Sequence, residues 1–125
     1  MESTLAVINY GTGSLVSQLL ESLTNAQARC TTSGVTLREV LVVDSGFPDM
    51  ADAAKFIKPW RYPWPVRILE NSGHSYSSGV NRAMAAANSE WVFVSNSDVE
   101  VIDYAQLQYI VRLASSVPHL AVLCH

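Results

Sequence analysis

The chain has 125 residues, 49% of them apolar and 15% charged, with a formal net charge of −3. Such a chain can bury roughly two-thirds of its unfolded surface in one domain with a radius of gyration of about 14 Å. It is too apolar for a disordered segment and too acidic for non-specific attachment to a nucleic-acid backbone. The two cysteines, Cys30 and Cys124, form no CxxC pair or Cys/His cluster, so a zinc site and a disulfide scaffold are not expected and two free thiols suit a reducing compartment. The acidic amino terminus carries too short an apolar run for a signal peptide, and no run approaches a membrane span. A cytoplasmic location is the expectation.

Leu5-Ala6-Val7-Ile8 reads as a buried strand ending in the turn signal Asn9-Tyr10-Gly11-Thr12-Gly13. Leu15, Val16, Leu19, Leu20 and Leu23 then recur at helical spacing, with Thr12 or Ser14 as the cap. Val40-Leu41-Val42-Val43 is a second strand, stopped by Asp44-Ser45-Gly46, and a short helix is expected over about 49–57. The stretch 58–65 holds three prolines and cannot form a regular helix. Val66-Arg67-Ile68-Leu69 is a third strand, followed by a polar stretch and an alanine-rich helix over roughly 78–88. Trp91-Val92-Phe93-Val94 is a fourth strand, broken at Ser95-Asn96-Ser97-Asp98. A helix capped by Asp103 and an apolar strand Leu120-Ala121-Val122-Leu123 complete the reading.

Strands alternate with helices, and the strands are continuous apolar runs. Both features predict a single α/β domain over residues 1–125, with a mostly parallel sheet covered by helices on both faces. In such sheets ligands bind beyond the carboxyl ends of the strands. Tyr10 to Gly13, Asp44 to Gly46, Asn71 to Tyr76 and Asn96 to Asp98 all fall there, and together they make a polar cleft suited to a nucleotide and a divalent cation. Asp44 ends its strand beside Ser45-Gly46, which leaves room for a base or ribose; its alternative is a turn-former or helix cap. Asp98 is placed to ligate Mg²⁺ or Mn²⁺, with Glu100 two residues on, or else to close a turn. Gly73 to Gly79, before a helix N-terminus, suits a phosphate or sugar, or is a polar loop with a serine cap. His74 in that loop is the one histidine in a promising place, though a lone loop histidine is more often a surface residue; His119 and His125 receive no role. Gly11-Thr12-Gly13 is an incomplete dinucleotide fingerprint, with Val16 where the third glycine would fall. Lys55, Lys58, Arg61 and Arg67 cluster in a region read as a solvated face with Trp60 and Trp64 packed beneath it.

Four pieces taken in order resemble the family 2 glycosyltransferases: Leu5 to Tyr10, Val42 to Gly46, Gly79 to Ala83 and Trp91 to Asp98. The resemblance runs from about residue 5 to residue 103. It implies a GT-A fold, a nucleotide-diphosphate sugar donor of the UDP, dTDP or GDP type, and Mg²⁺ or Mn²⁺. It places Tyr10 and Gly11 at the base pocket and Asp44, Ser45 and Gly46 at the base or ribose. Asn81 and Arg82 fall on the helix flanking the diphosphate, and Asn96 and Asp98 in the acidic motif, with Asp98 on the metal. The chain departs from the family pattern at Gly11, where Asn is usual, and at Asn96, where the first acid of the metal motif is usual. It also departs at Gly73-His74-Ser75-Tyr76, which stands for Asn-x-Gly-Phe, while Asn71-Ser72-Gly73 matches in type two residues earlier.

A complete domain of that kind is longer and supplies its acceptor site and catalytic base from a second half. The expectation is therefore a truncated donor-binding half, with an apolar strand at one edge that invites pairing with a second copy. Two alternatives are a non-catalytic nucleotide-binding or interaction module of the same fold, and a dinucleotide-binding Rossmann domain with Asp44 on the ribose.

Overall fold

The computed structural model describes residues 2–29, 36–45, 52–71, 73 and 75–97. In order they form β1 (Glu2–Asn9), α1 (Gly13–Arg29), β2 (Thr36–Asp44), α2 (Asp52–Phe56), a 3₁₀ turn (Pro59–Arg61), β3 (Val66–Glu70), α3 (Tyr76–Ala86) and β4 (Trp91–Asn96). The four strands are all parallel, in the order β3-β2-β1-β4. The expected helix after Asp103 and the strand at Leu120–Leu123 lie outside the described residues, as does any edge pairing through that strand.

Alternation along β1 and β2 gives the sheet two apolar faces. Leu5 and Val7 of β1 and Leu37, Val40 and Val42 of β2 face α1 and α2, where they pack with Val16, Leu19, Leu20, Leu23, Ala53 and Ile57. Ala6, Ile8, Leu41 and Val43 point the other way and meet Ala83 and Val80 of α3. A continuous apolar run is what a strand covered on both sides requires. β1 begins three residues earlier than its apolar run suggests, because Ser3 and Thr4 are also buried there between two neighbouring strands.

The prolines act as expected. Residues 59–61 make only a short 3₁₀ turn, beyond which Tyr62 and Trp64 stack with ring centroids 5.4 Å apart. Trp64 is buried, but Trp60 is 79% exposed, so only one of the two tryptophans packs beneath the basic stretch. The 3₁₀ turn projects Trp60 outward while Trp64 joins the core under α1.

A buried carboxylate organises the amino-terminal half of the sheet. Glu39 accepts from Thr4 Oγ1 at 3.2 Å, from Arg67 Nε at 3.2 Å and Nη2 at 3.1 Å, and from the Asn88 backbone N–H at 2.9 Å. Arg67 also donates to the Ala86 carbonyl at 2.7 Å, which caps the end of α3. The network thus joins β1, β2, β3 and the α3–β4 connection, and it removes Arg67 from the basic cluster expected around Lys55 to Arg67. Burial of Glu39 raises its pKa, but the Asn88 N–H, the Arg67 charge and the Arg67 and Thr4 hydrogen bonds together outweigh it and leave the pKa lowered.

A carboxylate whose pKa is depressed by folding contributes stability above its unfolded pKa and loses it as pH falls through the folded value. Glu39→Gln is therefore expected to cost about 1.5–3 kcal/mol at neutral pH. Denaturant titrations of parent and variant should show that gap narrowing in acid; a gap that does not change with pH would disprove the linkage.

Candidate functional site

The order β3-β2-β1-β4 contains one reversal. The chain moves outward from β1 through β2 to β3, then returns past both to place β4 on the free side of β1. The helices change face at the same point, with α1 on one side of the sheet and α3 on the other. In parallel sheets of this kind a crevice is expected at the carboxyl ends of the strands where the order reverses, here between β1 and β4. A cleft of about 600 Å³ lies there, lined by Tyr10, Thr12, Ser45, Tyr76, Asn96 and Ser97, with Ile8 and Leu15 as its apolar wall.

Asn9 shapes this cleft from below. It is the last residue of β1 and fully buried. Its Oδ1 accepts from the Thr12 backbone N–H and from Thr12 Oγ1, both at 3.0 Å. Its Nδ2 donates to Asp52 Oδ2 at 3.1 Å. That same Asp52 oxygen accepts from the Gly13 backbone N–H at 2.7 Å, so a carboxylate from α2 caps the first turn of α1. A Cβ on Gly13 would sit 2.8 Å from the Asp52 carbonyl oxygen, so the close approach requires glycine. Gly11 takes φ 72°, a left-handed value that glycine and asparagine tolerate best. The departure from the family's asparagine at that position is thus conformationally conservative.

Two further contacts close the rim. Thr12 Oγ1 and Ser97 Oγ lie 2.7 Å apart in a hydrogen bond that spans the β1–β4 crevice. A hydroxyl has one proton, and Asn9 Oδ1 can only accept, so Ser97 is the donor to Thr12. On the other side Asn71 donates to Ser45 Oγ and to the Ser75 carbonyl, each at 3.2 Å, tying the end of β2 to the start of α3. Ser75 caps α3 in a reciprocal box with Ser78, which starts the helix at Tyr76 rather than at Ser78. Thr12, just before α1, and Tyr76, the first residue of α3, both line the cleft, but the N-terminal end of α1 already holds the Asp52 carboxylate.

The expected site residues separate into three groups. Tyr10, Ser45 and Asn96 line the cleft, and Gly11 forms its turn. Asp44, Asn81 and Arg82 are not among its lining residues. Asp44 is fully buried, and its Oδ2 accepts from the Ala53 backbone N–H at 3.0 Å, so it plays the helix-cap role for α2. Asn81 and Arg82 are exposed on α3. Gly46, Asp98, Glu100 and His74 lie outside the described residues. Tyr76, expected at this end of the sheet with the segment from Asn71, lines the cleft, whereas sequence reasoning missed the exposure of Leu15, which stands among the residues at helical spacing. It also missed the pairing of Asn9 with Asp52, 43 residues apart. Only the Asp in the short-helix segment and the Asn closing a strand were visible signals.

Asp52→Ala removes the cap on α1 and leaves the buried Asn9 amide without its acceptor. A stability loss of about 2 kcal/mol is expected by chemical denaturation. Asp52→Asn, which keeps an acceptor oxygen, should lose less; equal losses would show that the hydrogen bonds at Asp52 do not matter.

A search of curated proteins finds no match to the chain. The family model described as glycosyl transferase family 2 matches residues 4–125. The match covers β1 from Thr4 onward, every later described strand and helix, the residues that line the cleft, and the Asn96-Ser97-Asp98 segment. With a parallel α/β sheet and a cleft at its switch point, the chain belongs to the family 2 glycosyltransferases.

Proposed function

We propose that residues 1–125 are the donor-binding part of a glycosyltransferase, holding a nucleotide-diphosphate sugar in the cleft between β1 and β4. One observation carries this reading: Tyr10, Ser45 and Asn96, picked out separately along the sequence, line one crevice at the strand-order reversal. Tyr10, half-exposed at the rim, offers a ring to the base, with Gly11 leaving space beside it. Ser45 and Gly46 take the ribose side. Asp44 acts from beneath, holding α2 in place. Asn81 and Arg82, exposed on α3 outside the cleft lining, are the candidates to reach the diphosphate, with the start of α3 at Tyr76 on the cleft.

A divalent cation, Mg²⁺ or Mn²⁺, is part of this proposal. Among the described residues no three His, Cys, Asp or Glu side chains gather, and the cleft's own donors are the neutral Asn96, Ser97, Ser45 and Thr12. That donor set fits an ion held chiefly by phosphate oxygens, which needs only one or two carboxylates from the protein. Asp98, next in the chain after Ser97, supplies the carboxylate, and Asn96 a carbonyl oxygen. When bound, the ion neutralises charge on the leaving diphosphate.

Calorimetric titration with UDP, dTDP and GDP, each with and without Mn²⁺, tests the reading. One nucleotide should bind in a metal-dependent manner. Asp98→Ala should abolish the metal-dependent part with the fold intact. Tyr10→Ala should weaken binding about tenfold or more, with or without metal, if the ring stacks on the base. A folded chain that binds none of the three would overturn the proposal and favour a non-catalytic interaction module of the same fold.

A further inference from the structure

The side-chain hydrogen bonds beneath the cleft all run in one direction, and that direction fixes what Ser97 can offer a ligand. Asp52 Oδ2 accepts from Asn9 Nδ2 at 3.1 Å and from the Gly13 N–H at 2.7 Å. A carboxylate at one end of the Asn9 amide and the Thr12 N–H at the other settle which end is oxygen. That oxygen can only accept, so the Thr12 hydroxyl places its one proton there. Ser97 Oγ, 2.7 Å from Thr12 Oγ1, must then give its own proton to Thr12. Ser97, Thr12 and Asn9 thus form a one-way chain of donors that ends on the Asp52 carboxylate. Ser97 is half-buried and lines the cleft, where its oxygen has lone pairs and no proton to present. Hydrogen bonds in a chain polarise one another, and a chain that ends on a carboxylate raises the negative charge on its outermost oxygen. Such an oxygen cannot serve a phosphate oxygen, which needs a donor, but it suits a cation.

Resting on the donor-cleft reading above, we propose that Ser97 Oγ is itself an oxygen ligand for the divalent cation, and that Thr12 is the positioning residue that holds its proton away from the cleft. An ion held chiefly by phosphate oxygens takes one or two carboxylates and fills the rest of its shell with neutral oxygens. A hydroxyl oxygen serves in this way where phosphates share the shell of Mg²⁺. Thr12 meets no ion through this hydroxyl's proton, which is committed to Asn9; it acts through Ser97.

The test is calorimetric titration with Mn²⁺ and with Cd²⁺, in the presence of whichever of UDP, dTDP and GDP the parent binds, on variants shown to be folded by circular dichroism. Ser97→Ala should weaken Mn²⁺ binding by about tenfold or more. Ser97→Cys should also weaken Mn²⁺ binding but bind Cd²⁺ more tightly than the parent, because sulfur is the softer ligand. A merely structural role for Ser97 would not reverse the metal preference, and the parent's own Cys30 and Cys124 are present on both sides of the comparison. Thr12→Val keeps the Ser97 oxygen but removes the acceptor for its proton, so Mn²⁺ affinity should fall about tenfold. Thr12→Ser, which keeps an accepting hydroxyl, should restore it. If the parent binds a nucleotide with metal, a Ser97→Cys variant with the parent's metal preference overturns this inference and leaves the donor reading standing. So does a Ser97→Ala loss that is equal with and without metal, which would give the oxygen to a hydroxyl of the bound nucleotide. A folded parent without metal-dependent nucleotide binding overturns both.

Discussion

A single side-chain amide decides the shape of the carboxyl end of this sheet. Asn9 is buried at the end of β1, and a buried amide must satisfy both its ends. Its oxygen folds the following turn back through Thr12, and its nitrogen reaches Asp52, which in turn caps α1. The turn, the first helix and α2 are therefore positioned by one group with no freedom to rotate. An apolar residue at this place would fill the space but leave Thr12 and Asp52 without their partner. The cleft lies directly above, so its walls inherit that rigidity.

The opposite end of the sheet is held by a different device. There Glu39 gathers Thr4, Arg67 and Asn88, and the charge is stabilised by donors rather than by solvent. Breaking such a cluster costs more than its net contribution, because the remaining partner is left uncompensated. The two polar anchors bracket the apolar layers formed by β1 and β2. Between them, the backbone ladders and the apolar packing maintain the register.

Much of the fold was readable in the chain. Apolar runs, interrupted in β3 by Arg67, marked the four described strands, and their alternation with helices indicated a parallel sheet. The turn after β1 and the Asn96 segment line one cleft, because topology puts strand ends together whatever their side chains do. Periodicity could not tell that Leu15 sits at the margin of its stripe and faces the cleft. Proline content showed that 58–65 is irregular but not that Trp60 turns outward while Trp64 turns in. Asp44 illustrates the same limit: a carboxylate at a strand end serves a ligand or a helix N-terminus equally well in sequence. Only the neighbouring Ala53 N–H shows that it caps α2. The tie between Asn9 and Asp52 is tertiary and leaves no local pattern.

The hydroxyl pair between Thr12 and Ser97 joins residues 85 positions apart. β4 reaches its partner β1 only after two intervening strands and three helices have been made. Contacts of such sequence separation carry a large loop-closure cost and form late. A chain emerging from the ribosome can thus assemble β1, α1 and β2 while no crevice yet exists. The cleft exists only once β4 has docked on β1, and any ligand held there would report that this strand has arrived.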